Sequence, residues 1–98
     1  DMHSSQEYIS ILKANLSQIQ TEFGVTGLAL FGSVARGDNR PDSDLDLLID
    51  MPPKILLVSQ LKDFLEHILN TSVDLVRNHS HLSPKFLQQI SHDAITIL

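Results

Sequence analysis

The chain has 98 residues, 42% of them hydrophobic, with four glycines, four prolines and no cysteine. This is enough for one domain with its own apolar core, and it excludes a disordered or collagen-like chain, a disulfide framework and any site that needs a thiolate. The net charge of −5, from seven basic and twelve acidic residues, argues against a general nucleic-acid binder, since phosphate backbones require clustered lysine and arginine.

The sequence pattern contains no membrane-spanning or secretion segment. No apolar run approaches the roughly 18 residues of a membrane span, and the amino-terminal residues lack a basic-then-apolar signal pattern. The chain begins Asp1-Met2, and we interpret Met2 as the natural first residue. We therefore expect a single cytoplasmic domain over residues 1–98, without membrane association.

The amino-terminal third predicts a helix followed by a strand. Apolar residues at spacings of three and four predict an amphipathic helix over residues 5–23. Ser4 or Ser5 is its expected cap, and Gly24 is expected to end it. The apolar run over residues 25–31 then predicts a buried strand.

A turn-rich segment and an alternating strand follow. Residues 32–43 contain glycine, aspartate, asparagine, proline and serine, which are typical of turns. Residues 44–50 alternate almost strictly, with Leu45, Leu47 and Ile49 on one face and mainly aspartates on the other. The pattern predicts a strand with one buried face.

The remaining elements complete an α/β (α+β) domain. Pro52 and Pro53 end the second strand, and a second amphipathic helix follows. Residues 73–76 predict a third strand, Ser83-Pro84 starts a helix to about residue 91, and residues 94–98 suggest a last strand. We expect a mixed sheet of three to four strands packed with helices.

Two aspartates on the alternating strand are the first candidate site residues. Asp44 and Asp46 are two residues apart, so a strand points both carboxylates to one face. Such a pair repels unless cations lie between its members, and oxygen ligands of this kind suit Mg²⁺ or Mn²⁺. The alternative is an exposed polar edge without a ligand.

A third carboxylate tests that alternative. Asp74 lies within an otherwise apolar strand, and the 28 residues after Asp46 allow a crossover helix between parallel neighbours. The register would let Asp74 join Asp44 and Asp46. Because unpaired carboxylates are rarely buried, we predict that all three bind metal.

A glycine-serine step precedes these aspartates. Gly32 allows a close approach of the backbone to a ligand, Ser33 adds a hydroxyl donor, and Arg36 lies one helical turn further on. The segment lacks the pattern of a Walker A loop, and taken alone it is a simple turn. Beside the aspartate strand it predicts a phosphate site.

Together these motifs resemble a known family. Gly-Ser-x-Ala-Arg-Gly at residues 32–37, Ser-Asp-x-Asp at residues 43–46 and Asp74 on a later strand resemble the DNA polymerase β nucleotidyltransferase superfamily. The closest resemblance is to its minimal nucleotidyltransferase (MNT) branch, and residues 90–95 also resemble the carboxy-terminal tail of that branch. The resemblance extends over nearly the whole chain.

The resemblance implies a two-metal nucleotidyltransferase. Gly32 and Ser33 would hold the β- and γ-phosphates of a nucleoside triphosphate, most simply ATP. Asp44 and Asp46 would bind two Mg²⁺ ions, with Mn²⁺ as a substitute, and Asp74 would complete one metal shell and assist deprotonation of the attacking hydroxyl.

The resemblance also implies a partner. Members of the MNT branch act as antitoxins of HEPN ribonuclease toxins, in some cases by transferring AMP to a toxin tyrosine. We therefore expect AMP transfer to a HEPN-type partner protein, with no direct nucleic-acid contact. The alternative is a non-catalytic antitoxin that neutralises its toxin by steric binding. A homodimer is left open, and transfer to an antibiotic or an RNA end needs an acceptor domain for which 98 residues leave little room.

Most of the other polar residues are interpreted as loop or surface residues without a role in the site. His79 and His81 have the chemistry of metal ligands but lack a third ligand nearby, so they predict a polar loop. Arg36 is expected to contact phosphates or to pair at the surface with Asp38 or Asp42. Arg40 is interpreted as a solvated loop residue.

Overall fold

The computed structural model describes residues 3–98, in which five helices and four strands form. Asp1 and Met2, and with them the expected first residue, lie outside the described residues. In chain order the elements are α1 (Ser5–Ala14), α2 (Leu16–Phe23), β1 (Gly27–Phe31), α3 (Gly32–Arg36), β2 (Leu45–Asp50), α4 (Ile55–Leu69), β3 (Val73–Arg77), α5 (Pro84–Asp93) and β4 (Ile95–Thr96).

The strands form one mixed sheet in the order β3-β2-β1-β4. β1 pairs antiparallel with β2 and with β4, whereas β2 and β3 run parallel. A parallel pair requires a crossover connection, and α4 supplies it. The predicted mixed sheet of three to four strands is therefore confirmed, with β3 and β4 at its two edges.

The predicted single helix over residues 5–23 is wrong, because it is divided at Asn15. This residue has φ −107° and ψ 9°, and its side-chain amide donates to the Ile11 carbonyl at 2.8 Å. Asparagine favours such local bonds over a continuous helix, which the apolar spacing alone does not reveal. The cap is at Ser4, which forms a capping box with Glu7.

The other predicted elements are present with shifted ends. Gly24 ends α2 in a left-handed conformation at φ 67°, and the Ser83 hydroxyl caps α5 by accepting from the Phe86 amide. The strand predicted over residues 25–31 begins at Gly27. The last strand has only the two residues Ile95–Thr96.

The two faces of the sheet differ in what covers them. Leu45, Leu47 and Ile49 of β2 are at most 1% exposed, and they join a core with residues of α1, α2 and α4. The opposite face carries Asp46 and Leu48 of β2 beside Asp74 and Val76 of β3, all of them at least partly exposed. We call these four residues the open face. Within residues 3–98, no helix is long and apolar enough to cross a membrane.

Candidate active site

Two of the three predicted carboxylates are neighbours on the open face. Asp46 is the register partner of Asp74 in the parallel β2–β3 pair, so their side chains project from strands about 4.8 Å apart. Asp44 lies directly before β2 and is exposed. The predicted register of Asp74 is confirmed.

The surroundings of Asp74 differ from those predicted. The argument that its carboxylate would otherwise be buried is wrong, because Asp74 is exposed. β3 is an edge strand, and Asp74 lies on the open face whereas the preceding Val73 is buried on the other face, so the apolar residues beside Asp74 in sequence do not cover its carboxylate.

The carboxylates act on one another electrostatically. The pKa of Asp46 is raised from 3.8 to about 6, and partial burial is the largest cause. The charge of Asp74, hydrogen bonding to it and the charge of Asp44 contribute to this rise, while the Arg36 guanidinium opposes it. Asp46 is therefore the centre of a cluster of negative charge.

Gly32 brings the turn between β1 and α3 directly against this cluster. A Cβ atom on Gly32 would overlap the Asp46 carboxylate, and the residue has φ +76°, a conformation that favours glycine. Ser33 follows at the start of α3 and is half-buried. The glycine-serine step and the aspartate strand thus meet, as the motifs predicted.

Arg36 lies at the border of the site and is held by two carboxylates. Its Nε donates to Asp38 at 3.1 Å, and one terminal nitrogen lies 3.6 Å from the Asp93 carboxylate of α5. The Asp38 partner agrees with one of the sequence alternatives, whereas no ion pair with Asp42 occurs within residues 3–98. Asp93 was missed because only the fold brings it near Arg36.

The donor set fits divalent cations that retain other ligands. None of Asp44, Asp46 and Asp74 forms an ion pair within the described residues, so no lysine, arginine or histidine is in direct contact with their carboxylates. In the same range, no group of three or more histidine, aspartate or glutamate side chains is placed to hold a metal ion, so Asp44, Asp46 and Asp74 do not by themselves form a ready-made cage. Mg²⁺ does not need such a cage, because it is usually bound by one or two carboxylates together with water and substrate phosphates.

The histidines form a local turn after β3. The His81 amide donates to Nδ1 of His79 at 3.0 Å, and both residues are exposed. This agrees with the polar-loop interpretation. Arg40, also exposed, donates its backbone amide to the Ser43 hydroxyl at 2.8 Å within the loop before β2.

Known proteins share this arrangement of sequence and fold. Residues 9–97 match the model of the nucleotidyltransferase domain. The protein adenylyltransferase MntA of Thermococcus cleftensis is 38% identical over 81 residues, which cover 81% of this chain and 82% of that protein.

Solved structures agree at the level of the fold. The structure of a protein assigned as a minimal nucleotidyltransferase is similar with a TM-score of 0.79 and 34% identity, over 97% of each chain. A complex of tri-AMPylated Shewanella oneidensis HEPN toxin with MNT antitoxin is similar with a TM-score of 0.64 over 92% of this chain and 71% of that chain. At 18% identity this similarity concerns the fold alone.

These similarities confirm the resemblance inferred from the motifs, and with it a nucleotidyltransferase enzyme. The chain therefore belongs to the nucleotidyltransferase domain family, among its minimal nucleotidyltransferases.

Proposed function

We propose that the chain is a metal-dependent adenylyltransferase that transfers AMP from ATP to a hydroxyl group of a partner protein. The observation that carries this proposal is the contact of Gly32 with Asp46, which is itself paired with Asp74. It joins a turn suited to phosphates to a cluster of carboxylates suited to divalent cations.

Each candidate residue has a role in this reaction. Gly32 and Ser33 bind the β- and γ-phosphates with backbone amides and a hydroxyl. Asp44 and Asp46 hold two Mg²⁺ ions, or Mn²⁺, with Asp74 completing the set. When bound, the ions neutralise charge on the triphosphate and on the departing pyrophosphate.

The chain's own groups align the reaction. The acceptor oxygen forms a bond to the α-phosphorus while the bond from that phosphorus to the bridging oxygen breaks, so AMP is transferred and pyrophosphate leaves. Asp74 takes the hydroxyl proton and passes it to water. Arg36 exchanges its contacts with Asp38 and Asp93 for phosphate oxygens.

The partner is proposed to be a HEPN-type toxin. Two observations support this: the relative named as a protein adenylyltransferase, and the similarity in fold to a toxin–antitoxin complex that contains an AMPylated HEPN toxin. The biological role would then be neutralisation of the toxin by modification.

The test is calorimetric titration with a non-hydrolysable ATP analogue, in Mg²⁺ and in EDTA. We expect binding to the wild-type chain only with Mg²⁺, and loss of binding in the double variant Asp44→Asn, Asp46→Asn. The matched control is Asp42→Asn, Asp50→Asn, which removes the same charge from the loop before β2 and the far end of β2 without touching a proposed ligand. It should bind as the wild type does.

The result also separates the two functions considered from the sequence. Absence of analogue binding by a folded wild-type chain would contradict the enzymatic proposal and favour neutralisation by steric binding. Equal losses in the two double variants would show that general charge, rather than these ligands, governs binding.

A further inference from the structure

An apolar groove lies beside the edge strand that carries Asp74. It has a volume of about 290 Å³ and is lined by Pro53, Ile55, Val58, Leu75 and Arg77. Ile55, at the start of α4, is 85% exposed, and the adjacent Leu56 is 76% exposed. Single exposed apolar side chains are ordinary, but Ile55 also lines the groove and so extends its apolar surface, which makes the groove a candidate contact surface.

The backbone of β3 offers hydrogen-bonding groups along this groove. The Leu45 amide donates to the Ser72 carbonyl and the Asn78 amide to the Ile49 carbonyl, which fixes the phase of the β2–β3 ladder. The backbone groups of even-numbered residues of β3 therefore form hydrogen bonds with β2, and the backbone groups of odd-numbered residues point outward. We call the outward groups of Leu75 and Arg77 the β3 edge.

One side chain fixes the start of this edge. The outward amide of Val73 donates to the Glu66 carboxylate at 2.9 Å, which agrees with the ladder phase. Within the sheet of residues 3–98, no strand pairs with the other side of β3. The β3 edge can therefore accept an added strand, a recurring mode of peptide recognition.

The reaction geometry directs the acceptor to the same place. This step rests on the proposed function: pyrophosphate leaves beside Gly32, at the end of β1, and Asp46 lies on the next strand. In-line displacement places the attacking oxygen on the opposite side of the phosphorus, which is the side of Asp74 and β3.

We propose that the β3 edge and its groove bind an extended segment of the acceptor protein as an added strand. Side chains of a strand alternate between faces. The residue of the added strand that lies opposite Asp74 therefore presents its side chain, the acceptor hydroxyl, to the open face. The adjacent residue, opposite Leu75, enters the groove and is apolar. The residue opposite Arg77 is acidic.

Charge complementarity supports the acidic position. Arg77 forms no ion pair within residues 3–98, and its guanidinium contacts the backbone carbonyl of Asn78 at 3.4 Å. A cation in an otherwise apolar groove favours a carboxylate partner. The acceptor motif is therefore a hydroxyl residue, an apolar residue next to it and an acidic residue three positions from it. The apolar and the acidic residue lie on the same side of the hydroxyl residue in the sequence.

The test uses arrayed short peptides with a central tyrosine, serine or threonine, incubated with the full chain, Mg²⁺ and ATP labelled in its α-phosphate. We expect label to accumulate on peptides that carry an apolar residue and an acidic residue at the two predicted positions. Ile55→Asp should reduce labelling about tenfold by removing apolar contact, while Ser17→Asp, which adds an equal charge at an exposed position in the first turn of α2, should leave it unchanged.

A charge reversal excludes a trivial loss of folding. Arg77→Glu should shift the preference at the acidic position to lysine or arginine, which damage to the fold does not produce. Labelling without this motif, a motif unaffected by Arg77→Glu, or no labelled peptide from a chain that binds the ATP analogue would each overturn the docking inference. Failure to bind the analogue would instead contradict the proposed function on which the inference rests.

Discussion

The two faces of β2 divide stability and chemistry between alternate residues. Leu45, Leu47 and Ile49 are almost fully buried, whereas Asp46 on the other face shares its surroundings with two further carboxylates. The covered face gains from burial of apolar surface, while the open face accumulates negative charge that opposes folding. The comparison teaches that the same strand both stabilises the domain and carries an electrostatic cost, which the proposed binding of cations would offset.

The largest effect on stability is expected on the covered face. Leu47→Ala should lower the free energy of unfolding by about 3 kcal/mol, because Leu47 is 0% exposed and its truncation leaves a cavity. Leu48→Ala, the matched change on the open face, should cost less than about 1 kcal/mol. Urea unfolding measures both, and equal losses would break the distinction between the faces.

The next effect concerns the contact between Gly32 and Asp46. Gly32→Ala should cost about 1–2 kcal/mol through its positive φ, and it should weaken Mg²⁺-dependent binding of the ATP analogue at least about tenfold. Gly37→Ala is the control, since Gly37 has φ +83° but nothing lies within 4 Å of its added methyl group. It should lose only the stability that the positive φ accounts for, without the added cost of the overlap with Asp46, and it should keep binding. Equal binding losses would contradict a role for the contact.

The charge on Asp46 predicts a pH dependence. The pKa of Asp46 in the folded state, about 6, lies above the ordinary 3.8, so the folded state holds the proton more tightly than the unfolded state. The contribution of Asp46 to stability is therefore greatest below pH 3.8 and falls as the pH rises toward 6. Without metal, Asp46→Asn should therefore have a Tm a few degrees higher than the wild type at pH 7.5, with a smaller difference at pH 5.

Mg²⁺ with the ATP analogue should reverse that order at pH 7.5, because the cations bind the ionised form of Asp46. Thermal unfolding at each pH, with and without ligand, measures the effect. A wild type more stable than Asp46→Asn in EDTA would show that the carboxylate cluster is not repulsive.

The smallest effect is expected at the outer edge of β3, where the Val73 amide donates to Glu66. Glu66→Gln keeps an acceptor for the Val73 amide but loses the charge that strengthens the bond, so it should cost less than about 1 kcal/mol. Hydrogen exchange at the Val73 amide should report a local opening more clearly than global unfolding does. Unchanged exchange would contradict the contact between Glu66 and the Val73 amide.

Alternation and turn residues predicted most of the fold because they reflect local geometry. The faces of β2, the end of α2 at Gly24 and the start of α5 at Ser83 all follow from neighbours in sequence. The break at Asn15 did not, since the apolar spacing continues through it and a side-chain bond to Ile11 decides the conformation.

The candidate site was predictable in composition but not in its surroundings. The motifs placed Asp44, Asp46, Gly32 and Ser33 together, and the crossover length predicted Asp74 as a neighbour. The ion pair of Arg36 with Asp93 and the groove beside Arg77 depend on the packing of distant segments, which local patterns do not encode.

The pairing of Asp46 with Asp74 links binding of a ligand at these carboxylates to the stability of the whole molecule. The two carboxylates meet only when the parallel strands are joined through α4, so an unfolded chain has no equivalent ligand set. Ligand that binds only the native state stabilises it by mass action, by about 2.7 kcal/mol at one hundred times the dissociation constant. If the site binds nucleotide as proposed, resistance of the chain to unfolding and proteolysis rises and falls with the local supply of nucleotide, so the lifetime of the chain reports on that supply.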